Sequence, residues 1–534
     1  MQTETDVVIV GGGPTGLATA VELGRRGVSC VVLEPRPEVS RLRPRAKTTS
    51  VRSMEHFRRW GLAERIREAA PLQVSWSQDI VFCATLRGPE ITRFHDCFDL
   101  CTGRSDAFAE TSQQIPQPLV EEVLRADVAA SDTGSLWLGW RMEALEEHAG
   151  GVRVTAVSDG ERRVLSASYV VGADGASGAT RAAIGTRYEG SSLARPNLTV
   201  VFRAPGLAER LPHGPVIQYW SLDPAAPAFA GRLDLDGIWW MGFIGVDAAA
   251  GEVDALDLIA RAVGEPVDAE VLSTDPWVNR MLIAERFARG RVFLAGDAAH
   301  LNPPWGGHGF NTGIGDAVNI GWKLAAVIGG WGGPELLDSY EPERRPVAQE
   351  TIDVAGRHTT LLAADLADPL LRDPGPAGAA RRARAGEEVQ RAKYSEFHSR
   401  GLVLGSGYEG SPIVLDDGRA RPVADPVEYV PSAHPGARLP HVWLDGSSCL
   451  YDVLGPDLSL LRLTHAADPE PVLRAARDRA VPVRLVDLPD RGLADRYGAG
   501  LLLVRPDQHV AWRGDAAPPD PDALLGHVRG VARA

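Results

Sequence analysis

Val7-Val8-Ile9-Val10-Gly11-Gly12-Gly13-Pro14-Thr15-Gly16 is the stretch that decides the fold of this chain. Four apolar residues that run straight into glycine have the pattern of a short strand buried on both faces. From Pro14 to Arg26 the chain then reads as a helix. Pro14 suits the first helical turn, where an N–H would have no partner anyway. Gly11 permits a tight turn, Gly13 lets the backbone approach a pyrophosphate, and Gly16 lets helix and strand pack closely. The helix start adds free N–H groups and the positive end of its dipole. A second apolar run, Cys30-Val31-Val32-Leu33, ends in Glu34. That acid stands about 20 residues beyond the loop, where it can bind a ribose diol.

Two later stretches repeat the strand-then-glycine pattern. Tyr169-Val170-Val171-Gly172-Ala173 runs into Asp174-Gly175, with Arg181 following. Alone, an Asp-Gly pair reads more readily as an ordinary turn. Val292-Phe293-Leu294-Ala295 ends in Gly296-Asp297, and Pro303-Pro304-Trp305-Gly306-Gly307-His308-Gly309-Phe310-Asn311 then leads into a helix through Lys323. Asp297 can hydrogen-bond a ribityl or ribose hydroxyl. Backbone N–H groups at the helix start suit the N1/C2=O edge of a flavin, and Asn311 stands there as a donor or cap. Together the three stretches point to FAD held across the top of a parallel sheet, and so to a redox enzyme.

Composition narrows the class. At 534 residues the chain exceeds one core, so two to four domains are expected. A hydrophobic share of 44% and a charged share of 24% are those of an ordinary soluble globular protein. The net charge of −14 argues against nucleic-acid or anionic-membrane binding. No apolar run has membrane-spanning length, and no basic-then-apolar leader opens the chain, so the expected location is the cytoplasm. The five cysteines are too scattered for a disulfide framework or a zinc site, and no metal is expected. Only three lysines occur, Lys47, Lys323 and Lys393.

Strand and helix signals alternate over residues 1–75, 103–184 and 281–355, the expected discontinuous FAD-binding domain. Residues 76–102 and 185–280 read as a β-rich, more antiparallel substrate domain, with strands near Asn197–Phe202, Val216–Ser221 and Ile238–Gly245. Residues 356–405 read as a helical linker. Residues 406–534 form a tail in β-α-β-β-α order, a thioredoxin-like layout without a CxxC pair, used for packing or dimer contacts. Overall the class is α/β, and a monomer and a homodimer remain equally open.

With these motifs the chain resembles the group A flavoprotein aromatic monooxygenases, the para-hydroxybenzoate hydroxylase superfamily. More closely it resembles the polyketide and indolocarbazole tailoring hydroxylases that carry a C-terminal thioredoxin-like domain. The tail likeness rests on Pro435-Gly436-Ala437-Arg438 and Val504-Arg505-Pro506-Asp507. The resemblance implies a glutathione-reductase-type FAD domain. It implies that Gly11, Gly13, Pro14, Thr15, Gly16 and Glu34 hold the ADP half of FAD and that Asp297 holds the ribityl region. It implies that Pro304, Gly307 and the Gly309-Phe310-Asn311 backbone border the isoalloxazine. Arg45 and Gln117 match positions that touch the flavin nucleotide. Asp174 and Arg181 match a motif linked to both FAD and NAD(P)H, although the serine usual four residues after that aspartate is here Gly178, with Ser177 beside it. Pro304, His308 and Arg45 are the implied residues at the chemistry.

The implied reaction consumes NAD(P)H and O2 and hydroxylates a polycyclic, phenolic secondary metabolite through a flavin C4a-hydroperoxide. Only one dinucleotide loop is present, so nicotinamide is expected to dock transiently. Aromatic walls suit a flat ligand, which makes Tyr219, Trp220, Arg232, Trp239, Trp277 and Trp305 the substrate candidates; core packing is the competing reading for each. His308 reads either as a proton relay or as an exposed loop residue, and His300 as a structural hydrogen-bonder. Two alternatives share the motifs: a Baeyer–Villiger or oxidatively decarboxylating flavoenzyme, and an FAD-containing protein that sequesters an unstable intermediate.

Overall fold

The computed structural model describes every residue except Met1, Pro44, Arg45, Glu252, 360–365 and 532–534. Its first sheet has eight strands, six of them running edge to edge as Ala288–Arg289, Val292–Leu294, Glu161–Gly172, Gln2–Val10, Cys30–Glu34 and Gly134–Leu138. The strands from Val292 to Leu138 in that order are mutually parallel. Buried apolar side chains cover both faces, as expected when helices pack on either side. Register brings the three glycine-bearing strand ends together: Val10 lies opposite Gly172, and Gly172 opposite Leu294. The antiparallel strands Arg141–His148 and Gly151–Ser158 extend this sheet.

After the first strand the helix Pro14–Gly24 packs against the long helix His308–Ile328, and glycine sets their spacing. A Cβ on Gly321 would stand 2.6 Å from Glu22 Cγ. The first helix stops before Arg26 because Gly27, at φ +73°, turns the chain back.

The second sheet also has eight strands, in the order His300–Leu301, Glu270–Ala284, Tyr188–Arg203, Ile238–Ile244, Ala228–Arg232, Gln218–Ser221, Ile80–Cys83 and Glu90–Phe94. All its pairings are antiparallel except that of Gln218–Ser221 with Ile80–Cys83. Each face carries its own apolar cluster. The region expected to be a linker does more than connect. Its helix Pro376–Phe397 lies against the edge strand Glu90–Phe94, with the Phe94 and Phe397 rings 4.9 Å apart.

In the tail a four-stranded sheet runs Val483–Asp487, Leu458–Arg462, Leu501–Val504, Val510–Gly514. Its order agrees with the thioredoxin-like reading, and the short helix Leu493–Tyr497 is an addition to it. A buried ionic joint fastens the tail to the body. Arg505 donates to Glu343 at 2.6 and 2.8 Å and to Asp507 at 3.1 and 2.6 Å, and Lys323 Nζ donates to Glu343 at 2.6 Å. Arg52 adds a bond of 2.7 Å to the Asp507 carbonyl. Among the described residues no helix is long and apolar enough to cross a membrane.

Candidate active site

Three loops meet at the top of the first sheet, and missing side chains let them do so. Gly11 sits at φ +108°, and a Cβ there would lie 2.3 Å from the Ala173 carbonyl oxygen. A Cβ on Gly16 would lie 1.9 Å from the Gly11 oxygen. Thr15 is where the third loop closes in: Cβ atoms on Gly296 and Gly313 would come within 2.6 and 2.4 Å of its Oγ1. In front of Gly13 a Cβ would meet nothing within 4 Å. The helices Pro14–Gly24 and His308–Ile328 both start at glycines with no side-chain cap, which leaves backbone N–H groups for a ligand.

The Gly296-Asp297 turn is held from below by Asp316, which is fully buried. Its carboxylate accepts from Gly296 N at 3.0 Å and from Arg344 Nε at 2.8 Å, and lies 2.7 Å from His300 Nε2. Burial alone would raise the Asp316 carboxyl, but Arg344 and His300 outweigh it and hold the group below its ordinary range. Burial would likewise lower His300, and the Asp316 charge raises it instead. His300 thus has the structural role its motif suggested. Asp297 faces outward, and its carbonyl accepts from the Tyr188 hydroxyl. Arg181 stacks 3.7 Å over the Tyr188 ring and donates to the Ala176 carbonyl at 2.8 Å, tying the second loop to the third.

Asp174 points back into its own loop. It accepts from Thr180 N at 2.9 Å and Thr180 Oγ1 at 2.8 Å, and its buried Oδ1 has no partner. A Cβ on Gly178 would stand 2.1 Å from Asp174 Cγ, so the carboxylate fills the place a serine side chain would need. Ser177 is exposed and takes no part in this contact. Glu34 accepts from Gly12 N at 2.8 Å and from Arg36 Nε at 2.7 Å. Burial would raise its carboxyl, and the Arg36 contacts hold it low. A ribose diol bound at Glu34 would share the carboxylate with Arg36. Gln117 donates to Glu121 at 2.8 Å at the start of the helix Gln117–Ala129. Arg45 lies outside the described residues.

Around the expected flavin edge, Pro304 is exposed and Gly306 and Gly307 are left-handed, at φ +74° and +67°. Gly309 and Phe310 are half-buried in the first turn of the following helix. Asn311, expected as a donor or cap at the helix start, directs its side chain to neighbouring backbone and serine groups. Its side chain accepts from Ser50 N at 2.9 Å and Ser53 Oγ at 2.7 Å and donates to the Thr48 and Gly307 carbonyls at 3.0 and 2.7 Å. All its capacity goes to stapling the helix start to residues 48–53. His308 is not an exposed loop residue. It is buried, its Nε2 has no partner, and burial with His358 nearby pulls it down to about 4. Behind it lies a cavity of ≈ 80 Å³ bordered by Ser50, His56, Asn311, Tyr408 and His509.

The substrate candidates divide by strand alternation. Trp220 and Trp277 lie on the face of the second sheet that meets Trp305, with Trp220 5.7 Å and Trp277 6.5 Å from the Trp305 ring. Tyr219 and Trp239 point the other way, into the cluster under the helix Ala255–Val263. Tyr219 donates to the Gly214 carbonyl at 3.2 Å. Arg232 donates to the carbonyls of Asp234 at 2.9 Å and Leu235 at 2.5 Å, and lies over Trp76 and Trp239. These three are structural in this arrangement. Sequence reading missed Phe229 and Trp240, which share the Trp305 face; Phe229 is 5.5 Å from the Trp305 ring and 5.3 Å from that of Trp240. Gly242 lies beneath Phe229, where a Cβ would meet the ring at 2.4 Å. An alternation count anchored on Trp220 would have found both.

The open space before Gly13, the two uncapped helix starts and the orphaned Asp174 oxygen fit a dinucleotide. A model of an FAD binding domain matches residues 4–355, and one of the aromatic-ring hydroxylase C-terminal region matches 432–532. The chain belongs to the FAD-dependent aromatic-ring monooxygenases. Among members of this family, it is 31% identical to tetracenomycin B2 monooxygenase-dioxygenase of Streptomyces olivaceus, over 98% of each chain. Among solved structures, RebC soaked with chromopyrrolic acid and holding 7-carboxy-K252c is 35% identical over 100% of both chains, with a TM-score of 0.92. Aklavinone-11 hydroxylase in complex with FAD and aklavinone is 28% identical over 98% of this chain and 99% of that one, with a TM-score of 0.83. The enzyme family thus fixes FAD as cofactor and NAD(P)H and O2 as cosubstrates.

Proposed function

We propose that this monooxygenase hydroxylates a flat polycyclic phenol, of the kind made in secondary metabolism, seated between the Trp305 face of the second sheet and the flavin edge. The observation that carries the reading is the aromatic face itself. Trp220, Phe229, Trp240 and Trp277 share one side of one sheet, and Trp305 packs onto that side from the Pro304–Gly307 turn. Two solved relatives hold aklavinone and 7-carboxy-K252c. When bound, FAD accepts hydride from NAD(P)H and activates O2.

The chain's own residues bind and orient. The Gly11–Gly16 loop and its helix start take the pyrophosphate, Glu34 takes a ribose hydroxyl beside Arg36, and Asp297 takes the ribityl chain. Gln117 and Asp174 serve the nucleotide from the rim, and Arg45 is a nucleotide contact on its sequence motif alone. The backbone from Gly307 through Gly309 and Phe310 to Asn311 borders the ring, and Pro304 walls the side that the substrate approaches. His308, neutral at physiological pH, can accept a proton at one ring nitrogen and release the one on its other nitrogen toward the cavity behind it.

Mass spectrometry of the product formed under 18O2 tests the assignment. One labelled oxygen on a ring carbon is expected. Label inserted into a C–C bond, or loss of CO2, would replace hydroxylation with the Baeyer–Villiger or decarboxylating reading. The RebC structure with a carboxylated ring system keeps the latter in view. NAD(P)H left unconsumed with every aromatic ligand would favour sequestration.

A further inference from the structure

The aromatic face is covered in this structure, and what covers it is an indole of the chain itself. Trp305 is only 3% exposed. It comes from the turn beside Pro304 and not from the sheet. Its ring centre lies 5.5 Å from that of Phe229, 5.7 Å from Trp220 and 6.5 Å from Trp277, in edge-on and tilted contacts. A flat ring slipped between two others needs about 3.5 Å on each side, so about 7 Å between the rings it separates. None of the three contacts leaves that much. A polycycle that packs on Trp220, Phe229 and Trp277 therefore has to take the place of the Trp305 indole.

Three features suit that indole to leaving. The next two residues, Gly306 and Gly307, are both left-handed, and glycine changes conformation there without a Cβ to hinder it. The Trp305 Nε1–H is buried and has no acceptor, an unfavourable state that water would relieve outside the face. Pro304, immediately before it, is already exposed, so the turn lies at the surface. One segment opposes departure. The helix Pro376–Phe397 sets Lys393 Nζ 5.2 Å from the centre of the Trp305 ring and 5.0 Å from that of Trp220. Its Glu396 accepts from Lys393 at 2.7 Å and also takes the Gly306 N–H. Apolar burial and this clasp make the packed position the resting one.

We propose that Trp305 is a specificity-determining residue: its indole fills the substrate's seat in the resting enzyme, and a ring system binds by displacing it. This rests on the reading that the aromatic face seats the substrate. A ligand has to replace the contacts of a two-ring side chain before it gains any affinity, which selects fused-ring ligands over single phenols.

Isothermal titration calorimetry on FAD-loaded protein, without NAD(P)H, measures 2-hydroxyanthraquinone and phenol against the native chain, Trp305→Ala, Trp305→Leu and Trp277→Ala. Plug and wall should respond in opposite directions. Trp305→Ala should bind 2-hydroxyanthraquinone at least about tenfold tighter, with Trp305→Leu in between, because the apparent dissociation constant no longer carries the small fraction of open enzyme. Trp277→Ala, which removes a ring of the wall, should bind it about fivefold weaker or worse. Phenol should register with the Trp305 variants alone. In stopped-flow mixing followed by flavin absorbance, the native rate should level off as 2-hydroxyanthraquinone rises, and the plateau should be higher in either Trp305 variant. If Trp305→Ala does not fold, Trp305→Leu and the native kinetics decide. The proposal is overturned by Trp305 variants that bind no tighter, by phenol that binds the native chain as well as 2-hydroxyanthraquinone does, or by a native rate without a plateau. The aromatic seat then still stands if Trp277→Ala is weaker. No binding at all, or affinity unmoved by Trp277→Ala, overturns both.

Discussion

The dinucleotide cradle and the aromatic face are built on opposite principles. The cradle is mostly main chain: Gly11 closes on Ala173 and Gly16 on Gly11, while Gly296 and Gly313 make room for the Thr15 side chain. Apart from Thr15 its contacts use atoms every residue has, and the main requirement on sequence is the absence of a Cβ at fixed spacings. The aromatic face is made of large side chains, and which ones belong to it depends on register. Trp239 and Trp240 are neighbours in sequence, yet one lies in the cluster beneath the helix Ala255–Val263 and the other beside Phe229. Recognition through backbone is therefore written in motifs, and recognition through side chains in the parity of a strand.

The largest expected effect tests that parity. Trp239→Ala should cost about 3–5 kcal/mol of stability, as for truncation of a buried aromatic, and leave anthraquinone affinity intact in protein that still folds. Trp240→Ala should cost less stability and weaken the ligand. Equal losses in urea unfolding, or a ligand effect confined to Trp239→Ala, would break the assignment of faces.

Next comes the cradle. Gly16→Val puts a side chain 1.9 Å from the Gly11 oxygen and should cost about 3 kcal/mol together with most of the bound flavin. Gly13→Ala, facing open space, should spare the fold and reduce only FAD content. Yellow, fully stable Gly16→Val protein would show that the close approach is not needed. Asp297→Ala should weaken FAD by about 1.5–3 kcal/mol, read from flavin absorbance after gel filtration; normal retention would remove Asp297 from the ribityl contact.

The last test reads the dependence on pH and concerns the tail joint, which touches neither region directly. Glu343 is held at about 2 against an ordinary 4.5: burial works against ionisation, and Arg505 and Lys323 overcome it. A carboxyl depressed in the folded state contributes fully above about pH 4.5 and loses that contribution as pH falls toward about 2. Thermal unfolding should therefore fall off in this window in the native chain and be flatter, though lower throughout, in Glu343→Gln. Parallel curves would assign the acid loss to other carboxylates.

Much of the first sheet was legible because apolar runs ending in glycine leave few alternatives. The tail's strand order was legible from turn spacing. What sequence reading could not reach were contacts made across long separations. Asn311 read as a donor or cap at the helix start, and only the folded chain brings Thr48, Ser50 and Ser53 to it as partners. His308 read either as a proton relay or as an exposed loop residue, and the helix that begins at it buries its ring. Tyr219 and Arg232 read as ligand contacts because aromatic and cationic residues were collected without strand parity. The span 356–405 read as a linker because its helix is rich in Ala and Arg and poor in large apolar residues. Phe397, one apolar residue near its end, is what binds it to Phe94.

The joint at Arg505 has a consequence for how such enzymes diversify. Its acid, Glu343, and its second cation, Lys323, come from two helices of the body, whereas Arg505 and Asp507 come from a hairpin of the tail. A tail borrowed from a homologue with an apolar residue at the arginine's place would leave Glu343 with Lys323 as its one remaining cation and Asp507 without its arginine, both sealed inside the seam. Truncating one partner of such a buried group costs about 3–5 kcal/mol, enough to reject the transplant. Recombination within the lineage should therefore move the hairpin and the two helices as one inheritance, although most of the intervening sequence is free to drift.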